Sequence, residues 1–338
     1  MLRSGFARLS GRLFISIYSA RNMPKEFQQI TWDELVADEC RRIVAAAVLE
    51  DLDRGQDWTT VSLVPMEAVG KAVLVARQAG VIAGLLAVQI VLDQMDRRLQ
   101  FEPATLAGQT VQDGLSVSPG AKLATISGPA RSLLTAERLL LNFVGHLSGI
   151  ATLTQKFVAA VSSTKTRIYD TRKTTPGWRH LEKYAVRQGG GHNHRTGLFD
   201  AILIKDNHLA FSEVFVGATE FSAAFAVGQA RKFIEDNFSA DDPRRNMIVE
   251  VEVDSLEQLQ SVLPERPDIV LLDNMNTDTL KRAVELRNSL APNVQLEASG
   301  GVTLATVQAI AATGVDRISA GALTHSAVSL DVALDWTV

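Results

Sequence analysis

The chain has 338 residues, 46% of them hydrophobic and 21% charged, which is room and core enough for one large domain or two ordinary ones. A net charge of −4 argues against a general nucleic-acid binder, and the single cysteine, Cys40, excludes an internal disulfide or a cysteine metal cluster and fits a reducing, cytoplasmic setting. The most apolar run, residues 81–92, is well short of the ~20 residues that a membrane helix needs.

Residues 1–24 carry Arg3, Arg8, Arg12 and Arg21 among serines, and no acid precedes Glu26. They read as a transit-like extension or an over-long start ahead of Met23, outside the folded domains. From residue 25 to 136 the pattern is that of a small α+β domain. Thr31 followed by Glu34 forms a capping box for a helix to Leu52, with Cys40 packed on it. KAVLVA, AGVIAGLLAV and RRLQFEP follow as strand candidates, the middle one able to turn helical. Asp113-Gly114 and Ser118-Pro119-Gly120 mark turns before a further strand, KLATISG.

A long apolar helix then spans about Leu133 to Val161. It is apolar nearly all round and therefore buried, so its Arg138 needs a partner, Glu137 or another acid being the simple one. Residues 137–338 read as an α/β barrel, TIM-like, with a C-terminal tail. Six strand-like runs recur (RIYDTRKT, DAILIKDNH, MIVEVEVD, DIVLLDNM, VQLEASGG and VDRISAGAL), separated later by helical text such as TDTLKRAVELRNSL. The polar residues fall at the C-terminal ends of these runs, where barrel enzymes place their chemistry.

One stretch stands apart electrostatically. Between Lys165 and His208 there are nine Lys or Arg against four acids, and four of the six histidines lie there as well. The cations sit among apolar strand-like runs and beside Gly189, Gly190 and Gly191 rather than on a solvated helix face. That combination suits a pocket for a small, highly anionic ligand. The three glycines, with no helix start directly after them, are assigned to shape rather than to phosphate binding, and His192 is the more structural of the two neighbouring histidines.

The motifs ERLLLNFVGHLSGIAT, DTRKTTPGWRHLEKYAVRQGGGHNHRTGL, LIKDNH, EVEVDSLEQL, LLDNM and ASGGV, in this order, make the chain from about residue 30 onward resemble the quinolinate phosphoribosyltransferase family. The resemblance implies an N-terminal α+β domain, a type II phosphoribosyltransferase barrel, and a homodimer with shared active sites, a hexamer being the larger alternative. It implies that Arg138 (reaching in from the partner), Arg172, His194, Arg195 and Lys205 surround the quinolinate dicarboxylate, with Lys173 between it and phosphoribosyl pyrophosphate. Glu252 and Asp273 would hold magnesium-bound pyrophosphate and ribose, and Ser299, Gly300 and Gly321 the 5′-phosphate. Lys173, Glu252 and Asp273 are the implied catalytic set. One departure is length: from about Phe211 to Asn246 the chain runs longer than the family pattern, with an acidic helical addition near ARKFIEDNFSADDPRR.

The chemistry suits these residue types. Arginine meets carboxylate with two parallel hydrogen bonds, which lysine cannot reproduce. Magnesium is a hard, oxygen-preferring ion, for which Glu252 and Asp273 are apt. Read without the motifs, Glu252 and Asp273 could be plain helix caps. Two rivals stay open at this level: a metal-dependent barrel hydrolase using His192, His194, Lys205, His208 and Asp273, and a quinolinate sensor without turnover.

Overall fold

The computed structural model describes residues 25–216 and 222–337. The basic stretch before Lys25 lies outside these residues. The first helix, Glu34–Leu52, does form, but its cap is Asp33, whose side chain accepts a hydrogen bond from the Val36 N–H. Thr31 stays exposed, so the expected capping box is replaced by a cap two residues later. Cys40 is fully buried on this helix, and burial pushes its thiol up to about 12, as packing rather than chemistry requires.

Strands Val69–Ala76, Gln100–Pro103 and Lys122–Pro129 build an antiparallel sheet. The middle apolar run turns into the helix Leu85–Met95, entered at Gly84 in a left-handed conformation. The edge of this sheet is completed from the other end of the chain, because Val332–Thr337 pairs along Val69–Ala76 from Lys71↔Thr337 to Ala76↔Val332. The C-terminal tail, expected with the barrel, is thus a strand of the first sheet. Helix Ala130–Ala160 starts slightly before the expected point and packs on Leu85–Met95, the first sheet and Arg179–Gln188, which ties the two halves together.

All six expected barrel strands are present and parallel. Their order around the sheet is Arg167–Tyr169, Arg317–Ser319, Gln295–Ser299, Ile269–Asp273, Ile248–Val253 and Ala201–Ile204. Apolar runs such as IVLLD have the near-continuous hydrophobicity of strands covered on both faces. Between the first and last strands an extended segment takes the place of a regular stave. His192 N–H donates to Ile168 O, Asp170 N–H donates to His192 O, and the Arg195 guanidinium reaches Ala201 O. The barrel therefore closes through the segment that carries His194 and Arg195.

The N-terminal leg closes the opposite end of the barrel from the strand C-termini. Phe27 packs with Ala201, Ile248 and Ile269, while Gln29 and Ile30 bond Asn193. The acidic addition forms helix Ala223–Asn237, which buries Ala223, Ala226, Val227 and Ile234 and packs against the strands Ile248–Val253 and Ala201–Ile204. It serves as an outer helix of the barrel.

Candidate active site

The C-terminal ends of the barrel strands surround a cavity of ≈ 720 Å³. Arg172, Lys173, His194, Arg195, Lys205, Glu252, Asp273, Ser299, Gly300 and Gly321 all line it. Arg138 does not. It is exposed, makes no ion pair among the described residues, and lines a separate cavity with Asn142, His146 and Asp331. The expected partner Glu137 instead accepts a hydrogen bond from the Trp336 indole.

The charges in the main cavity are unevenly matched. Lys205 is ion-paired with Glu252, and Asp273 accepts from the Asn274 amide. Arg172 and Arg195 have no carboxylate partner among the described residues, and the buried Nε of Arg172 makes no hydrogen bond at all. Burial, then the neighbouring Arg172, weakens the hold of Arg195 on its proton. Two adjacent guanidiniums, one of them buried, are costly unless an anion joins them.

The rim opposite these arginines is backbone. Gly300 adopts a left-handed conformation, and a Cβ there would lie 2.1 Å from the Asn274 Oδ1. Asn274 is itself left-handed, and its N–H donates to Ser299 O, so the turns after Asp273 and Ser299 are locked together. Lys173 lies against Gly321, and its carbonyl accepts from Thr324.

Behind the cationic wall is a saturated ion pair. Lys183 Nζ contacts Asp170 and donates to His194 O, while Asp170 also accepts from the Asn193 amide and the His194 N–H. Both groups are fully buried, and burial pushes each toward its neutral form against the pull of the other. This cluster bolts the DTRK turn to the His194–Arg195 segment. Gly189 permits the preceding turn, since a Cβ there would sit 2.3 Å from Ala151 O of the long helix. The glycine run does provide shape, as expected.

Residues 150–335 match the family model described as quinolinate phosphoribosyl transferase, C-terminal domain, and residues 57–148 match its N-terminal domain. The chain belongs to the quinolinate phosphoribosyl transferase family. It is 44% identical over 302 residues to the nicotinate-nucleotide pyrophosphorylase (carboxylating) of Mycobacterium leprae, covering 88% of this chain and 97% of that one. A probable enzyme of the same name from Synechocystis is 41% identical, covering 84% and 88%. The nicotinate-nucleotide pyrophosphorylase structure from Francisella tularensis superposes with a TM-score of 0.79 at 36% identity, over 92% of this chain and 100% of that one.

Within this family frame the hydrolase alternative fails on geometry. His192 stacks near Tyr169, away from the cavity, and burial followed by Arg187 and Arg167 lowers it to about 4. His208 accepts the Lys205 N–H as a helix-entry contact. Among the described residues, the histidine–acid group compact enough for a metal is another one: His194 with Glu250 and Glu297. Sequence reasoning passed over these two acids. Their signal was present, as each stands inside an apolar strand two residues before a site residue, Glu250 before Glu252 and Glu297 before Ser299.

Proposed function

We propose that the cavity transfers the phosphoribosyl group of phosphoribosyl pyrophosphate to the ring nitrogen of quinolinate, with loss of the 2-carboxylate. The products are nicotinate mononucleotide, carbon dioxide and pyrophosphate, a step of de novo NAD biosynthesis. The observation that carries this reading is the adjacent pair Arg172 and Arg195, neither of them in an ion pair among the described residues, a match for two neighbouring carboxylates. The likeness to relatives bearing the pyrophosphorylase name supports it.

In this reading Arg172, Arg195 and Lys205 clamp the dicarboxylate beside His194. Ser299, Gly300 and Gly321 take the 5′-phosphate, where backbone N–H groups approach it without side-chain bulk. Lys173 lies between the two ligands and supplies the proton that C2 needs once carbon dioxide has left. Glu252 and Asp273 are carboxylates at the ends of adjacent parallel strands facing one cavity, an oxygen donor set that fits magnesium. When bound, magnesium neutralises charge on the departing pyrophosphate. Glu252 gives up its pairing with Lys205 as the ligands enter, which frees the ammonium for the quinolinate carboxylate.

Arg138 has no role in its own chain's cavity, and large apolar residues (Trp58, Leu63, Met66 and Val69) stand exposed on the N-terminal domain. Both features support a homodimer in which Arg138 enters the partner's barrel. Homodimers of Arg138→Ala or of Glu252→Ala should each be nearly inactive, while a refolded mixture should regain one intact site per mixed dimer. Subunit exchange without recovered activity would contradict the shared site. The reaction itself is checked with quinolinate and phosphoribosyl pyrophosphate, following carbon dioxide and nicotinate mononucleotide. Quinolinate binding with no turnover would favour the sensor.

A further inference from the structure

In the inner wall of the ligand cavity, which both His194 and Glu297 line, His194 is gripped from every side. Its Nδ1 accepts the N–H of Arg195 at 2.8 Å. Its Nε2 lies 3.0 Å from Glu250 Oε2 and 3.5 Å from Glu297 Oε1. Its ring rests on Phe27, with centroids 4.3 Å apart. Glu250 and Glu297 are both completely buried, and none of their four carboxylate oxygens accepts an aligned hydrogen bond.

Two buried carboxylates that share one ring N–H and accept no aligned hydrogen bond cost stability, so their presence demands another reason. A resident metal ion is a poor one. Because Nδ1 takes up the backbone N–H, the ring's proton sits on Nε2, where the Glu250 and Glu297 carboxylates hold it against the cost of burial, and the nitrogen facing the acids has no lone pair to offer. What remains is orientation. The acids hold the ring edge, the ring fixes the Arg195 N–H, and Arg195 is one of the two cavity guanidiniums that make no ion pair among the described residues.

We infer that Glu250 and Glu297 are positioning residues that hold His194, and through it Arg195, in the geometry that receives the quinolinate carboxylates. The inference rests on the function proposed above. The two acids destabilise the folded chain and are retained for ligand binding, a trade of stability against function. A merely structural pair would behave in the opposite way.

The test pairs quinolinate calorimetry with thermal unfolding for the full-length protein and for Glu250→Gln, Glu297→Gln and Glu297→Leu. The expected result is quinolinate affinity reduced roughly 10- to 100-fold, the range typical of lost outer-shell support. Affinity for phosphoribosyl pyrophosphate alone should stay unchanged, and the unfolding midpoints should be unchanged or higher than wild type. Glu297→Leu guards against a glutamine that merely replaces one polar group with another. Unaltered quinolinate affinity in all three variants overturns the inference. So does lost affinity accompanied by a lowered midpoint in all three, since that describes a structural pair. Should wild type bind no quinolinate, the proposed function falls and the inference with it.

Discussion

Two buried charge clusters flank His194, and they are built on opposite principles. On one side, Asp170 and Lys183 are saturated, with contacts from Asn193 and the His194 backbone satisfying what the pair leaves over. On the other, Glu250 and Glu297 lie as deep but accept no aligned hydrogen bond. A saturated buried pair fixes the relation between two segments; an unsatisfied one adds cost that only a function offsets. The cationic wall of the cavity obeys the second principle too, with Arg172 and Arg195 lacking any acid partner among the described residues.

The largest effect is expected at the saturated cluster. Replacing Lys183 by Met leaves Asp170 buried and unpaired, at a cost of about 3–5 kcal/mol in folding stability. Denaturant unfolding should register this directly. A variant as stable as wild type would mean that the pair does not bolt the cationic wall in place.

A medium effect is expected at the unsatisfied cluster, and pH exposes it. Burial raises Glu297 from 4.5 to about 7, with the neighbouring Glu250 carboxylate adding to the rise and His194, Arg317 and Ser319 opposing it. The folded chain therefore holds a proton that the unfolded chain has released between those values. Stability should fall as pH rises from about 4.5 to 7, relative to Glu297→Gln, which lacks the titration. Parallel stability–pH curves for the two proteins would break the contrast between the clusters.

The smallest effect separates the two candidate caps of the first helix. Asp33→Ala should cost about 1 kcal/mol and leave activity alone, whereas Thr31→Ala should be neutral. Equal losses at both positions would restore the capping box.

These contrasts also explain what the sequence made legible. The six barrel strands were readable because strands covered on both faces are apolar runs bounded by polar ends, and because those ends carried the family's motifs. The cavity residues were readable for the same reason. Other features depend on pairing between distant segments. Nothing local in VALDWT says that it will add to a sheet begun at Val69. The irregular stave at His192–Thr196 has no strand periodicity to announce it. Asp33 displaced Thr31 because either residue type can cap, and the helix begins at Glu34, directly after Asp33. That Glu250 and Glu297 meet His194 is not legible locally, because each stands inside an apolar strand and meets His194 only once the barrel is assembled.

Arg172 and Arg195, which make no ion pair among the described residues, await two adjacent carboxylates. The most direct test compares the binding of quinolinate with that of nicotinate, which lacks the 2-carboxylate, in wild type and in Arg172→Ala and Arg195→Ala. Wild type should favour quinolinate on the order of 100-fold, as the loss of a charge-assisted contact in a buried site implies, and either substitution should erase most of that preference. Equal affinity for the two ligands in wild type, or a preference untouched by both substitutions, would contradict it.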